Sequence, residues 1–191
     1  FDLTGMGQHH NGTNEQAVAV LRSMAQRQRH RLRLAGVASL ETFRFHGLDQ
    51  IEGLQRVEPG APGVHGVAVR LAQPFDLHHV NVLEALAPIN VFEMLDTIAE
   101  DCGPLAMDGG FIELWDHVAA HANGLCFISQ YSEQTFCHRH PAALSLPRWQ
   151  ALLPTRLASY AKPGVPSEGN HVLVLGNHFP QPCERDGLNL L

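Results

Sequence analysis

Residues 124–141 (GLCFISQYSEQTFCHRHP) decide the fold that the sequence predicts. Residues 125–128 are a continuous apolar run, which is typical of a buried strand. Residues 135–140 predict a second strand that ends at a proline, and the polar residues 132–134 predict the turn between the two. We therefore expect a β-hairpin over this stretch.

Outward from the hairpin, alternating or apolar runs predict further strands, and helical spacing of apolar residues predicts helices. The predicted strands lie near residues 37–46, 64–72, 124–130, 135–140 and 171–175. The predicted helices cover residues 14–34, 77–99, 111–122 and 146–160. Pro88 should divide the second of these helices in two, because proline breaks a helix.

These elements predict an α+β fold, in which helices pack on a small, mainly antiparallel sheet. Residues 1–13 are polar and rich in glycine, and we expect them to form a disordered lead-in. Residues 14–191 are expected to form a single globular domain.

The composition argues against several classes of protein. Hydrophobic residues make up 45% of the chain and charged residues 17%, which suits a packed core. No apolar run approaches the roughly 18 residues that a membrane span needs. The net charge of -6 argues against nucleic-acid binding, because such binding needs lysine and arginine to neutralise phosphates. No signal peptide is visible, so a cytoplasmic location and secretion without one both stay open.

Histidine is unusually frequent, at 13 residues, which favours metal binding or acid–base chemistry. The cysteines, Cys102, Cys126, Cys137 and Cys183, form no C-x-x-C pair, so no zinc ribbon or thioredoxin motif is predicted. The chain also lacks the P-loop, G-x-G-x-x-G, G-x-S-x-G and H-E-x-x-H motifs, and we expect no cofactor.

The predicted hairpin places a cysteine opposite histidines. With the turn at its centre, Cys126 pairs with His140, and a small shift of register brings His138 to the same place. An imidazole beside a thiol can take its proton and stabilise the nucleophilic thiolate. Backbone amides near the turn of Asn123 and Gly124 would then hold an oxyanion. The alternative is that Cys126 is a small buried residue of the core.

The run Asn123-Gly124-Leu125-Cys126, followed twelve positions later by His138, resembles the glutamine-deamidase toxins of the cytotoxic necrotising factor and Burkholderia lethal factor group. The resemblance implies Cys126 as nucleophile, His138 as general base, and hydrolysis of a side-chain amide through a thioester. It thus implies a bacterial effector that acts on a protein or peptide. A polar residue that orients the histidine would complete such a site, and Gln130 is a candidate for this role.

The string His138-x-His140-Pro141 is a candidate metal site. On a strand, residues i and i+2 face the same side, as a metal clip requires. The string resembles the zinc motif of the JAMM deubiquitinases, and that resemblance implies Glu100 as a further residue of the site. A zinc-dependent hydrolase is therefore an alternative to the Cys–His amide hydrolase.

A third alternative is a non-catalytic binding subunit of a larger complex. Arginines recur along the later half of the first predicted helix, from Arg22 to Arg33. They predict either a solvated face or a site for an anionic protein partner.

Overall fold

The computed structural model describes residues 1–28, 31–61, 65–101 and 110–151. The chain divides into two units, residues 1–154 and 155–191, and all the described residues belong to the first. The predicted strand 171–175 and most of the predicted helix 146–160 lie outside the described residues. No helix in the described part of the chain has the length and apolar character that crossing a membrane requires.

The described strands are short and all run parallel. They are β1 (Leu34–Val37), β2 (Leu54–Val57), β3 (Val67–Arg70), β4 (Ile89–Met94), β5 (Gly124–Phe127) and β6 (Arg148–Gln150). The helices are α1 (Gly12–Gln28), α2 (Leu40–Phe45), α3 (Leu77–Leu86), α4 (Ile98–Asp101), α5 (Gly110–His121) and α6 (Gln130–Arg139). Short 3-10 helices cover Leu48–Gln50 and Pro141–Ser145.

Residues 1–3 join two groups of strands into one sheet. The backbone N–H of Asp2 donates to Val69 O (2.8 Å), and that of Val37 donates to Phe1 O (2.9 Å). Residues 1–3 therefore lie between β1 and β3, where Asp2 forms parallel bridges to both sides. Because β1 also pairs with β2, and β3 to β6 pair in that order, the sheet has the strand order of a doubly wound α/β fold.

The two faces of the sheet carry separate hydrophobic cores. Leu21 of α1 belongs to the core on one face, and Leu83 of α3 and Trp115 of α5 belong to the core on the other. Neighbouring residues of β3 point into different cores, Ala68 towards α3 and α5 and Val69 towards α1. The helices that follow residues 1–3 and β3 thus lie on opposite faces.

The prediction of an α+β fold with a mainly antiparallel sheet is wrong, because the described strands are all parallel. The strand expected near residues 124–130 is present as β5, but residues 130–139 form α6 in place of the second hairpin strand. The physical reason is a helix cap: Ser129 Oγ accepts a hydrogen bond from the backbone N–H of Ser132 (3.0 Å). Phe136 then lies one helical turn further on, facing the core.

Three other predicted elements also differ from the structure, and one of them is the helix predicted from residue 146, where Arg148–Gln150 form β6. The strand predicted at residues 37–46 is wrong, because Ser39 caps α2 by accepting from the backbone N–H of Thr42 (3.1 Å). The helix expected after Pro88 is β4, a strand between β3 and β5. The strand near residues 64–72 and the helix near 111–122 are confirmed as β3 and α5.

Candidate ligand site at the carboxyl edge of the sheet

A crevice lies at the carboxyl edge of the sheet, between residues 1–3 and β3. The strand order reverses there, and in doubly wound sheets ligands bind at this topological switch point. A cavity of about 180 Å³ occupies the crevice. Its walls come from the loop after residue 3, the start of α1, the end of β3 and the first turn of α3. We call it the switch-point cavity.

A buried ion pair lines the switch-point cavity. Nη1 of Arg70 donates to Oδ2 of Asp2, and the two side chains are 2% and 0% exposed. The other carboxylate oxygen of Asp2 accepts from the backbone N–H (2.9 Å) and the hydroxyl (2.7 Å) of Thr4. Nε of Arg70 has no hydrogen-bond partner among the described residues. The guanidinium is therefore fixed in place with a donor still unused.

Gly5 allows the backbone to approach this guanidinium. A Cβ at this position would lie 2.6 Å from Nη2 of Arg70 and 3.5 Å from Nε2 of His79. Arg70 cannot move aside easily, because it is buried and paired with Asp2. Any larger residue at position 5 would therefore displace either the loop or the ion pair.

His79 is the titratable group on the α3 side of the switch-point cavity. Its Nδ1 lies 3.2 Å from Oδ1 of Asp76 and 3.4 Å from the backbone nitrogen of Phe75. Burial lowers the pKa of His79 below its ordinary value, and the positive charge of Arg70 lowers it further. The ring is therefore neutral at pH 7, with Nε2 on the Gly5 side.

The loop between residue 4 and α1 is held by side chains from two helices. Nε2 of His46, which follows α2, hydrogen-bonds to Gly7 O (2.8 Å). Nδ2 of Asn14, in the first turn of α1, donates to His9 O (2.9 Å). These bonds fix the loop before any ligand is present, which is the condition for a preorganised site.

The amino end of α1 also lines the switch-point cavity. Oδ1 of Asn11 caps the helix by accepting from the backbone N–H of Asn14 (2.8 Å). The N–H groups of Gly12 and Thr13 precede the first hydrogen-bonded turn and have no acceptor within the helix. These groups, with the helix dipole, favour a negative charge at this end.

Cys126 lies on the opposite side of the sheet from its predicted partners. Its neighbours Leu125 and Phe127 pack in the same core as Phe136 of α6, so Cys126 points to the α1 face. There it stands beside Glu93 of β4. Burial, and next the negative charge of Glu93, raise the pKa of Cys126 to about 11, so the thiol is protonated at neutral pH.

His138 and His140 lie on different sides of α6 and its end, because residues i and i+2 of a helix do not share a face. His138 is exposed, whereas His140 is 1% exposed. The structure therefore brings neither of them to Cys126, and the described residues contain no group of three or more His, Cys, Asp or Glu side chains placed to hold a metal ion. The Cys–His hydrolase and the zinc hydrolase stay predictions without geometric support.

The buried His140 instead forms hydrogen bonds with two carboxylates, the buried Glu100 and the exposed Asp116. Its Nδ1 lies 2.7 Å from Oδ1 of Asp116, and its Nε2 lies 3.0 Å from Oε1 of Glu100. Arg139 forms ion pairs with Glu100 and Asp101. Glu100 thus lies beside His140, and the cluster ties α4, α5 and α6 together with both ring nitrogens already engaged.

The residues predicted to form the oxyanion site or to orient the histidine lie at the starts of β5 and α6. Oδ1 of Asn123 accepts from the backbone N–H of Asn90 (2.8 Å), which joins the starts of β5 and β4. A Cβ on Gly124 would lie 2.5 Å from Cζ3 of Trp149, so a larger residue here would displace the Trp149 ring. Gln130 is the exposed first residue of α6.

The arginine-bearing helix is shorter than predicted, since α1 ends at Gln28. Arg27 is exposed near its end, and Arg31 and Arg33 are exposed beyond it. A protein partner at these arginines stays a prediction.

The patterns discussed above do not predict the switch-point cavity. The sequence does contain a pattern typical of a ligand-binding loop: Gly5-Met6-Gly7 lies between a short apolar segment and a capped helix start at Asn11. The strand before this loop is only residues 1–3, and its polar, glycine-rich continuation predicted a disordered lead-in instead. Asp2 and Leu3 are in fact buried within the sheet.

Comparison with known proteins gives no relative: no family model matches the chain, and no match was found among curated proteins or solved structures.

Proposed function

We propose that this domain binds a small molecule that carries a phosphate group, with the phosphate in the switch-point cavity. One observation carries the proposal: the glycine loop and the amino end of α1 converge on Arg70, a buried guanidinium whose Nε has no partner among the described residues. Arginine is the side chain best suited to phosphate, because its planar fork donates two parallel hydrogen bonds.

The surroundings of Arg70 suit an anion. The amino end of α1 is worth about 0.3–1 kcal/mol to a negative charge placed beside it. The charge of Asp2 is offset by three donors, from Arg70 and Thr4, so it opposes an incoming anion less than a free carboxylate would. Gly5 removes the side chain that would otherwise separate the phosphate from the guanidinium.

The size of the switch-point cavity limits the ligand. A volume of about 180 Å³ is enough for a phosphate and a few adjoining atoms, but not for a folded partner. His79 offers a neutral ring nitrogen beside Gly5, which can exchange a hydrogen bond with a phosphate or hydroxyl oxygen.

Titration with inorganic phosphate, followed by amide NMR, tests the proposal. We expect saturable shifts of the amides of Gly5, Gly12 and Thr13, absent in potassium chloride of equal ionic strength. Gly5→Ala should weaken binding at least tenfold, because its Cβ would meet Arg70.

Gly66→Ala is the matched control. Gly66 precedes β3 at the other edge of the sheet, with no atom within 4 Å of a Cβ built there, so this variant should bind phosphate like the wild type. The circular dichroism spectrum checks that both variants are folded. Equal phosphate affinity in the Gly5→Ala and Gly66→Ala variants, or shifts confined to other amides, would contradict the proposed site.

A further inference from the structure

A larger cavity, of about 600 Å³, adjoins the switch-point cavity on the α3 side. Leu3 lines both cavities, and the next two residues divide between them: Thr4 lines the larger one and Gly5 the smaller. We call the larger one the α3 cavity. Its apolar lining includes Val37 of β1 and Val82 and Ala85 of α3. The two cavities are therefore neighbours across one stretch of backbone.

The α3 cavity lies beside a short connection between strands. Residues 58–66 alone join β2 to β3, although the chain must pass β1 and residues 1–3 on the way. A parallel crossover that includes a helix needs roughly 10–12 residues or more. The connection is shorter than this, and residues 59–61 of it line the α3 cavity.

α3 presents apolar residues to the cavity as well as to the core. Val80 and Leu83 are buried in the core at 1% and 0% exposure. Val82, Ala85 and Leu86, at spacing i, i+3 and i+4, form a second apolar stripe that lines the α3 cavity. A helix that only covered a sheet would carry polar residues on this second stripe.

The chemistry of the α3 cavity suits an organic ligand. Small-molecule sites measure about 300–1,000 Å³ and are mostly apolar, with a few polar groups that fix orientation. Here the polar groups include the hydroxyl-bearing residues Thr4 and Ser39, at the carboxyl edge of the sheet. The apolar residues of α3 lie further along the helix, away from the phosphate position.

We infer that the ligand is a phosphate ester with an apolar organic body, which occupies the α3 cavity while the phosphate occupies the switch-point cavity. This inference rests on the proposed function and adds the class of ligand to it. Leu3 and Thr4 form the wall along which the ester passes from one cavity to the other.

Paired phosphate esters test the inference. Methyl phosphate and octyl phosphate, the latter below its micelle concentration, carry the same head group and differ only in the apolar body. We expect calorimetry to show that octyl phosphate binds the wild type at least tenfold more tightly than methyl phosphate. Ala85→Phe should reduce this difference, because its ring would occupy part of the α3 cavity.

Asn81→Phe is the matched control, because it adds the same ring on α3 at an exposed residue that does not line the cavity. It should keep the preference for octyl phosphate. If the wild type binds the two esters equally, the inference is overturned. If Gly5→Ala still loses methyl phosphate binding in that case, the proposed function stands. If Ala85→Phe weakens octyl phosphate binding and Gly5→Ala leaves it unchanged, the phosphate site itself is overturned.

Discussion

Arg70 and Asp2 form a buried ion pair that joins the two halves of the parallel sheet. Arg70 is the last residue of β3, and Asp2 belongs to the segment between β1 and β3. Both side chains are almost completely buried, at 2% and 0% exposure. Such a pair supports the fold only while both partners are present, because a lone buried charge is strongly destabilising. The same pair lines the proposed phosphate site.

Asp2→Asn should lower the free energy of unfolding by about 3–5 kcal/mol, because it leaves the Arg70 guanidinium buried without its counterion. Adding Arg70→Met removes that charge, so the double variant should be less destabilised than the sum of the two single variants. Urea denaturation measures all three. Glu58→Gln breaks the more exposed pair with Arg56 and should change stability by less than about 1 kcal/mol. A loss in Asp2→Asn no larger than in this control would contradict the role of the pair.

Glu93 should make the protein less stable as the pH rises. Its Oε1 accepts from Nε2 of Gln16, and its Oε2 has no partner among the described residues. Burial raises the pKa of Glu93 from 4.5 to about 7. Between these pH values the folded protein holds a proton that the unfolded chain has lost, so stability should fall by about 3 kcal/mol across the window.

Glu93→Gln should remove this contribution while keeping an acceptor for Gln16. The free energy of unfolding of the variant minus that of the wild type should therefore increase from pH 5 to pH 8. Subtracting the two profiles cancels the titration of the histidines, which both proteins share. Profiles that stay parallel over this range would show that Glu93 titrates as an ordinary surface carboxyl.

Cys126 should react slowly with iodoacetamide at neutral pH. Its pKa of about 11 leaves almost no thiolate at pH 7, and the rate should rise with pH well above the range of a free cysteine. Glu93→Gln should lower this pKa and speed the reaction, because it removes a negative charge from the neighbouring strand. Mass spectrometry of the peptide that contains Cys126 separates it from the other cysteines, and the urea-unfolded protein gives the reference rate. Fast, selective labelling at pH 6 would instead restore the activated nucleophile of the hydrolase prediction.

His140→Ala should destabilise the protein by about 2–4 kcal/mol. The variant leaves the buried Glu100 without its ring donor and opens a space where the imidazole packs 4.5 Å from the ring of Phe136. His138→Ala, on the exposed side of α6, should change stability by about 0.5 kcal/mol or less. Thermal unfolding monitored by circular dichroism compares the two. A similar effect of both substitutions would mean that the His140 cluster does not hold α4, α5 and α6 together.

The elements that the sequence predicted well depend on short-range signals. The helix near residues 111–122 and the strand near 64–72 follow from apolar spacing within a single element. α6 differs from the prediction for a local reason as well: Ser129 caps a helix, whereas the polar residues 132–134 also suit a turn. The candidate Cys126–His138 pair depended entirely on that turn. Because residues 130–139 form a helix, the two side chains are not neighbours.

The sequence by itself determined where apolar runs and helix starts lie, because burial periodicity and capping are properties of neighbouring residues. Only the tertiary structure decided that the strands run parallel, that residues 1–3 lie between β1 and β3, and that Cys126 faces away from α6. Strand order and direction are set by pairings between residues far apart in the chain, such as Asp2 with Arg70, and no local pattern specifies them. The switch-point cavity is a product of that order, so it became visible only in the folded chain.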